Sequence, residues 1–258
     1  MKMKKKESDG KIININRREI RKQKKRAARI RFICILAVVS IISFMMTPVF
    51  NIKWIDVKGN EKTKFGEVVK ASGIAYEQNI FRLNIKKSKD AIKKLPYVDT
   101  VRIIRHLPGG VMFEVTERAA VACIKYANGY VLIDKEGRLL ETVKEFEGIP
   151  QIEGIKLSKQ KVGETLKDSI PDQIAAMEEL LNKLQENDLS GRTSLVNIKD
   201  EDNVTFVIDG NKTVITGGNY RLDYKLMMLE ATISELSKSE AGTIDLSVEG
   251  EALFTPAE

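Results

Sequence analysis

FICILAVVSIISFMMTPVF, residues 32–50, is a run of nineteen positions without a charged side chain. At about 1.5 Å per residue it makes a helix of roughly 28 Å, close to the thickness of a bilayer's hydrocarbon core. A soluble helix of this length keeps a polar face, and Ser40, Ser43 and Thr47 are too few to make one. A cleavable signal peptide has a shorter apolar run, about 7–15 residues, and a small-x-small site, which does not follow Met45 and Met46. The stretch therefore reads as a retained transmembrane helix. Pro48 falls in its last turn, where it can end the helix with few hydrogen bonds left to lose.

Charge orients that span. Residues 1–31 hold 14 lysines and arginines against 3 acidic residues, a net +11, while the whole chain carries +7, so everything after Arg31 sums to −4. Dense basic residues before a span hold that end in the cytoplasm, which places 51–258 on the outer side of a single-pass protein. The run around Lys22, Lys24, Lys25 and Arg26 reads as a topology signal that also touches anionic lipid. No aromatic residue is interleaved with it for stacking on bases, which argues against a nucleic-acid partner. The charge density argues that much of 1–31 is disordered on its own.

Cys34 lies in the span and Cys123 far beyond it, so the exported part has no disulfide framework and must fold by packing. About 208 residues suffice for one large or two modest cores.

After the span, Ile52–Lys58 reads as a strand ended by Gly59-Asn60. Thr63 can cap a helix with Phe65, Val68 and Val69 on one face and Gly73 as its stop. Ile80–Asn84 reads as brief and extended, and Lys86–Leu95 as a helix burying Ala91, Ile92 and Leu95 before Pro96. Val98–Arg105 and Val111–Glu117 are two strands joined by Leu107-Pro108-Gly109-Gly110, the second alternating Val111, Phe113 and Val115 inward. The order strand, helix, helix, strand, strand suits a small sheet covered on one face by two helices.

Several segments here carry a resemblance: Val57-Lys58-Gly59-Asn60, Ala71-Ser72-Gly73-Ile74, Asn79-Ile80-Phe81-Arg82-Leu83-Asn84, Lys94-Leu95-Pro96-Tyr97-Val98, Arg105 with Leu107-Pro108, and Glu117-Arg118 with Val121-Ala122. In this order, directly after a basic tail and one span, they resemble the POTRA module of the FtsQ/DivIB cell-division family. Gln78 departs from that pattern where glycine is common, as does Ala120 where proline often stands. Both bear on loop shape alone.

From Ala119 the pattern changes. Val121–Lys125 and Tyr130–Asp134 flank the hairpin signal Ala127-Asn128-Gly129, and a turn at 135–138 leads into Leu139-Leu140. Gly148-Ile149-Pro150 opens an irregular crossing. Ile170–Leu189 reads as a helix with Ile174, Met177, Leu181 and Leu184 on one stripe. Leu195–Ile198, Val204–Ile208 and Thr213–Thr216 read as a meander. Asn219 can cap a last helix with Leu222, Leu226, Leu229, Ile233 and Leu236 in register, and Thr243–Val248 is a final strand. That last stripe suits the core face of a helix on a sheet better than a coiled coil of under three heptads. The fold class is α+β: residues 1–31 a basic cytoplasmic tail, 32–50 the transmembrane helix, 51–118 the POTRA domain, 119–248 a mixed sheet-plus-helices domain corresponding to the family's β domain, and 249–258 a C-terminal tail.

Catalytic chemistry finds little support. His106 is the only histidine, so neither a Ser-His-Asp nor a Cys-His arrangement can be assembled. No cluster has metal-ligand spacing, and Asp200-Glu201-Asp202-Asn203 lacks the glycine and closing glutamate of a calcium loop. Gly217-Gly218 lacks the Gly-Lys-Ser/Thr ending of a phosphate loop. Among 33 acidic residues after the tail, none is singled out as a glycosidase pair. The expectation is therefore no enzyme and no cofactor.

The resemblance implies a non-enzymatic, single-pass scaffold of the bacterial divisome at the septum. It implies binding of FtsB/DivIC-like and FtsL-like bitopic proteins and, through them, an influence on the septal peptidoglycan synthase. It places the partner surface on the last strand and the segment beyond it, at Ile244, Leu246, Val248, Glu249, Gly250 and Phe254. A late strand reached by a long helix often lies at a sheet edge, where unpaired backbone groups accept another chain, and Phe254 could anchor such a contact. The competing placement folds Phe254 back onto its own sheet. Two other functions stand as alternatives: a membrane-tethered envelope hydrolase, and a POTRA-type secretion component. The second would need a membrane barrel, which two long helices after Ala119 do not suit.

Overall fold

A computed structural model describes residues 17–157, 161–166, 171–200, 202–218 and 220–257. Helix α1, Arg17–Met45, begins inside the basic stretch expected to lack order and ends three residues before Pro48. Lysine, arginine and alanine are good helix formers, so a helix nucleated in the apolar run extends back through them. Within it, Lys22–Met45 is the one described segment long and apolar enough to cross a membrane, about 36 Å at helical rise. None of its apolar window is buried by the rest of the chain. A 3₁₀ turn, Pro48–Phe50, then leads straight into the first domain.

The first domain is a three-stranded sheet in the order β1-β3-β2, with β1 Trp54–Lys58, β2 Val98–His106 and β3 Gly110–Glu117. The pair β1/β3 is parallel and β2/β3 antiparallel. Helices α2, Phe65–Ser72, and α3, Ile85–Ile92, contribute Val68 and Ile92 to a core with Val111, Phe113 and Val115. Gly73 ends α2 in the left-handed region, at φ 66°. Two local readings change. Lys64, not Thr63, is the N-cap of α2. Ile80–Arg82 is a 3₁₀ turn and not extended, because the Asn79 side chain accepts the Phe81 N–H and closes it. Asn84 does the same for Lys87 and starts α3 at Ile85.

The second domain is one nine-stranded sheet in the order β12-β11-β10-β9-β8-β7-β4-β5-β6, its last two strands in the chain being β11, Gly242–Asp245, and β12, Leu253–Pro256. Its first strands, β4 Ala122–Tyr126, β5 Gly129–Ile133 and β6 Leu139–Val143, form an antiparallel meander. The irregular crossing contains a short strand, β7 Gln151–Glu153, parallel to both β4 and β8 (Thr193–Asn197), which joins the two halves of the sheet. Strands β9, Val204–Ile208, and β10, Lys212–Gly217, continue it. Helix α4, Pro171–Glu186, buries Ile174, Met177, Leu181 and Leu184, the stripe expected of it, together with Leu180. Helix α5, Leu222–Glu235, buries Leu222, Leu226 and Leu229 in the same core. Ile170 and Asn219, expected as the first residue of one helix and the cap of the other, lie outside the described residues.

Two separate hydrophobic cores are therefore joined at a polar seam. Arg118 Nη1 donates to Glu136 at 2.8 Å and to Asp134 Oδ2 at 2.5 Å, and its Nη2 reaches Asp99 at 3.0 Å. Arg138 donates across the seam to the carbonyls of Lys93, Lys94, Leu95 and Pro96 at 3.2–3.3 Å, and the Tyr97 hydroxyl donates to Glu141 at 2.6 Å.

Candidate functional site: the C-terminal edge of the sheet

After β10 the chain crosses over through α5 and returns as β11, Gly242–Asp245, parallel to β10. It does not then run on to Val248 as a strand. It turns through 246–252 and comes back as β12, Leu253–Pro256, antiparallel to β11, so the segment expected as a tail is the outermost strand. Ala257 N–H donates to Ala241 O at 2.9 Å, which fixes the phase of the ladder. Thr255 and Leu253 consequently spend their backbone groups on β11, and those of Phe254 point away from the sheet. Pro256 has no N–H to offer there. The open edge is four residues long, a length at which sheet edges avoid uncontrolled pairing.

The six residues expected at a partner surface separate into layers. Ile244 and Leu246 are fully buried and belong to the core. Phe254 lies opposite Ile244 and is half-buried against that core, its ring filling the space over Gly242 where a Cβ would stand. It thus folds back onto its own sheet. Val248, Glu249 and Gly250 are exposed in the turn. Leu253, on the opposite face of β12 from Phe254, is 65% exposed. No pattern in the sequence singled it out, because a lone leucine near a chain end has no periodicity to read.

The start of α5 supports this turn. Arg221, in the left-handed region at φ 55°, pairs with Glu249 and lies over the Tyr224 ring at 4.8 Å. Lys225 Nζ donates to the carbonyls of Thr216 and Gly218 at 2.7 and 2.9 Å, tying α5 to the end of β10, and burial pulls its pKa below the ordinary value. Between α5 and the turn lies a cavity of about 60 Å³ bordered by Tyr220, Tyr224, Met228 and Val248. Tyr220, Met227, Val248 and Leu253 are each exposed over more than half their surface.

The Cys123 thiol is buried, and burial pushes its pKa up to about 12, leaving it protonated and inert. His106 ends β2 beside the Trp54 ring, 5.4 Å between centroids. Among the described residues no three His, Cys, Asp or Glu side chains gather as metal ligands.

The comparisons with known proteins identify the fold just described. Residues 50–118 match the model of the POTRA domain, FtsQ-type, and residues 122–247 match that of the cell division protein FtsQ/DivIB, C-terminal. The chain belongs to the FtsQ/DivIB family. The cell division protein DivIB of Clostridium tetani is 28% identical over 220 residues, 81% of this chain and 83% of the relative. DivIB of Clostridium acetobutylicum is 38% identical over 133 residues, 51% of this chain and 52% of the relative. A solved extracytoplasmic domain of DivIB from Geobacillus stearothermophilus aligns with 47% of this chain and 99% of its own length at 17% identity and a TM-score of 0.31. The chain is thus a homologue of cell division proteins, and the family is non-enzymatic.

Proposed function

We propose that this chain is a single-pass scaffold of the division machinery. Its basic end lies in the cytoplasm and both folded domains lie outside, at the division septum. The charge step across α1 supports that orientation. The exported domains bind FtsB/DivIC-like and FtsL-like bitopic proteins and so influence the septal peptidoglycan synthase by positioning partners, without chemistry of their own.

The observation that carries this reading is the open edge at β12. The outward N–H and C=O of Phe254 accept an extended segment of the FtsB/DivIC-like protein as a tenth strand, a mode in which main-chain bonds give affinity and side-chain pockets give specificity. Val248, Glu249 and Gly250 meet that segment at its end, while Ile244, Leu246 and the Phe254 ring shape the edge from beneath. Leu253 supplies the apolar contact on the open face.

Leu253→Asp tests this. The side chain is mostly exposed, so stability should change by no more than about 0.5 kcal/mol. Co-purification of the full chain with the DivIC-like protein of its own organism should weaken by about 2 kcal/mol or more. Undiminished co-purification would move the partner surface elsewhere.

A further inference from the structure

We propose that the corner where α1 meets the POTRA domain binds the anionic phosphodiester headgroup of a membrane lipid, held by Arg82, Arg105, Lys86 and Lys87. This rests on reading α1 as a membrane span. The first support is that no linker separates the span from the domain. Asn79 Nδ2 donates to the carbonyl of Met45, the last helical residue, at 2.9 Å. Phe50 packs edge-on between Phe44 of α1 and Phe81 of the domain, with centroids 5.3 and 5.2 Å apart. The segment 79–82 is therefore fixed at the level where the helix leaves the bilayer.

That level holds an open cavity of about 500 Å³, lined by Met46, Pro48, Asn51, Asn79, Arg82 and Leu83, with Glu77 and Gln78 completing the wall. Among the described residues Arg82 Nε reaches only the Met46 sulfur, at 3.3 Å, a weak acceptor that leaves its remaining guanidinium donors unspent there. Arg105 Nη2 donates at 3.2 Å to the carbonyl of Leu83, one of the lining residues, which ties a second guanidinium to the backbone beside the cavity. Lys86 and Lys87 are exposed and follow Arg82 by four and five residues, within about 18 Å even on a fully extended chain. Among the described residues none of the four forms an ion pair. Guanidinium forks suit phosphate oxygens, and lysines near a lipid surface snorkel toward it.

The charge of the two domains points the same way. Residues 51–118 carry 14 basic against 8 acidic residues, net +6, and residues 119–258 carry 15 against 25, net −10. An anionic surface thus attracts the domain next to the membrane and repels the one bearing the partner edge.

The test uses the full chain in nanodiscs of phosphatidylcholine alone or with phosphatidylglycerol, read by hydrogen exchange of the amides of residues 81–88. These amides report this corner and not the basic tail on the opposite leaflet. Phosphatidylglycerol should slow them about fivefold, while inorganic phosphate added to phosphatidylcholine discs does nothing. The variant R82Q/R105Q/K86Q/K87Q should lose the effect yet keep slow amides at Val111, Phe113 and Val115, which report its fold. Equal rates in both discs with the wild-type chain would overturn the site. Slowing by inorganic phosphate alone would replace the lipid by a free anion. A chain that does not migrate with the discs would overturn the membrane reading, and this site with it.

Discussion

At the seam between the domains, two arginines and a tyrosine reach across to carboxylates and to the carbonyls that close α3. At the other end of the second domain, β12 is held to β11 by backbone pairing and a half-buried ring, with its outer side bare. The seam consumes its polar groups internally and the edge leaves them available. On the proposed reading the seam is the joint that holds the edge in place, and the edge stays open for a partner. The Asp134 carboxylate shows how complete the seam is. It is 3% exposed, accepts the backbone N–H groups of Glu136 and Arg138 at 2.9 and 2.8 Å, and pairs with Arg118.

The strongest way to break this contrast is Arg118→Ala, which leaves the Asp134 carboxylate buried without its counter-ion. The expected loss is about 3 kcal/mol, reduced from the top of the usual range by the two backbone donors that remain. Trp54, the single tryptophan, sits in β1, so its fluorescence reports the POTRA domain alone, whereas circular dichroism reports both domains. In urea the variant should separate the two signals into distinct transitions. Coincident transitions at the wild-type midpoint would show that the seam contributes nothing to coupling.

A smaller effect sharpens the comparison within the POTRA domain. Burial of Glu117 opposes its ionisation. The backbone N–H groups of Lys62, Thr63 and Glu61, at 2.8, 2.7 and 3.0 Å, outweigh that and hold its carboxyl below the ordinary value. A carboxyl with a lowered folded pKa contributes stability that is complete above the unfolded value, about 4.3, and is lost as pH falls through the folded one. Glu117→Gln should therefore cost about 1 kcal/mol at neutral pH, and the wild-type and variant midpoints should converge in acid. A gap that persisted in acid would assign the cost to shape and not to charge.

The parts of the fold legible in the sequence were those where burial imposes a period. Val111, Phe113 and Val115 alternate and are buried, and Ile174, Met177, Leu181 and Leu184 share a stripe and a core. The strands that escaped notice have no period to show. Gln151–Glu153 is three residues long and exists because two parallel neighbours need a strand between them. Leu253-Phe254-Thr255-Pro256 is short, near a chain end and closed by a proline, so it reads as a tail. That same shortness is what makes it an edge. The sequence pattern put the edge on the last hydrophobic strand, but Ile244 of β11 and Leu246 just after it are core, and Phe254, expected as a free anchor, is half-buried against its own sheet.

The most direct test of the account follows the Phe254 amide by hydrogen exchange in the full chain, with and without the exported part of the DivIC-like protein from the same organism. If β12 takes up a partner strand, this outward N–H should exchange freely alone and become strongly protected in the complex, while Thr255, already bonded to β11, changes far less. A complex that forms while the Phe254 amide keeps its unbound exchange rate would contradict strand addition at this edge.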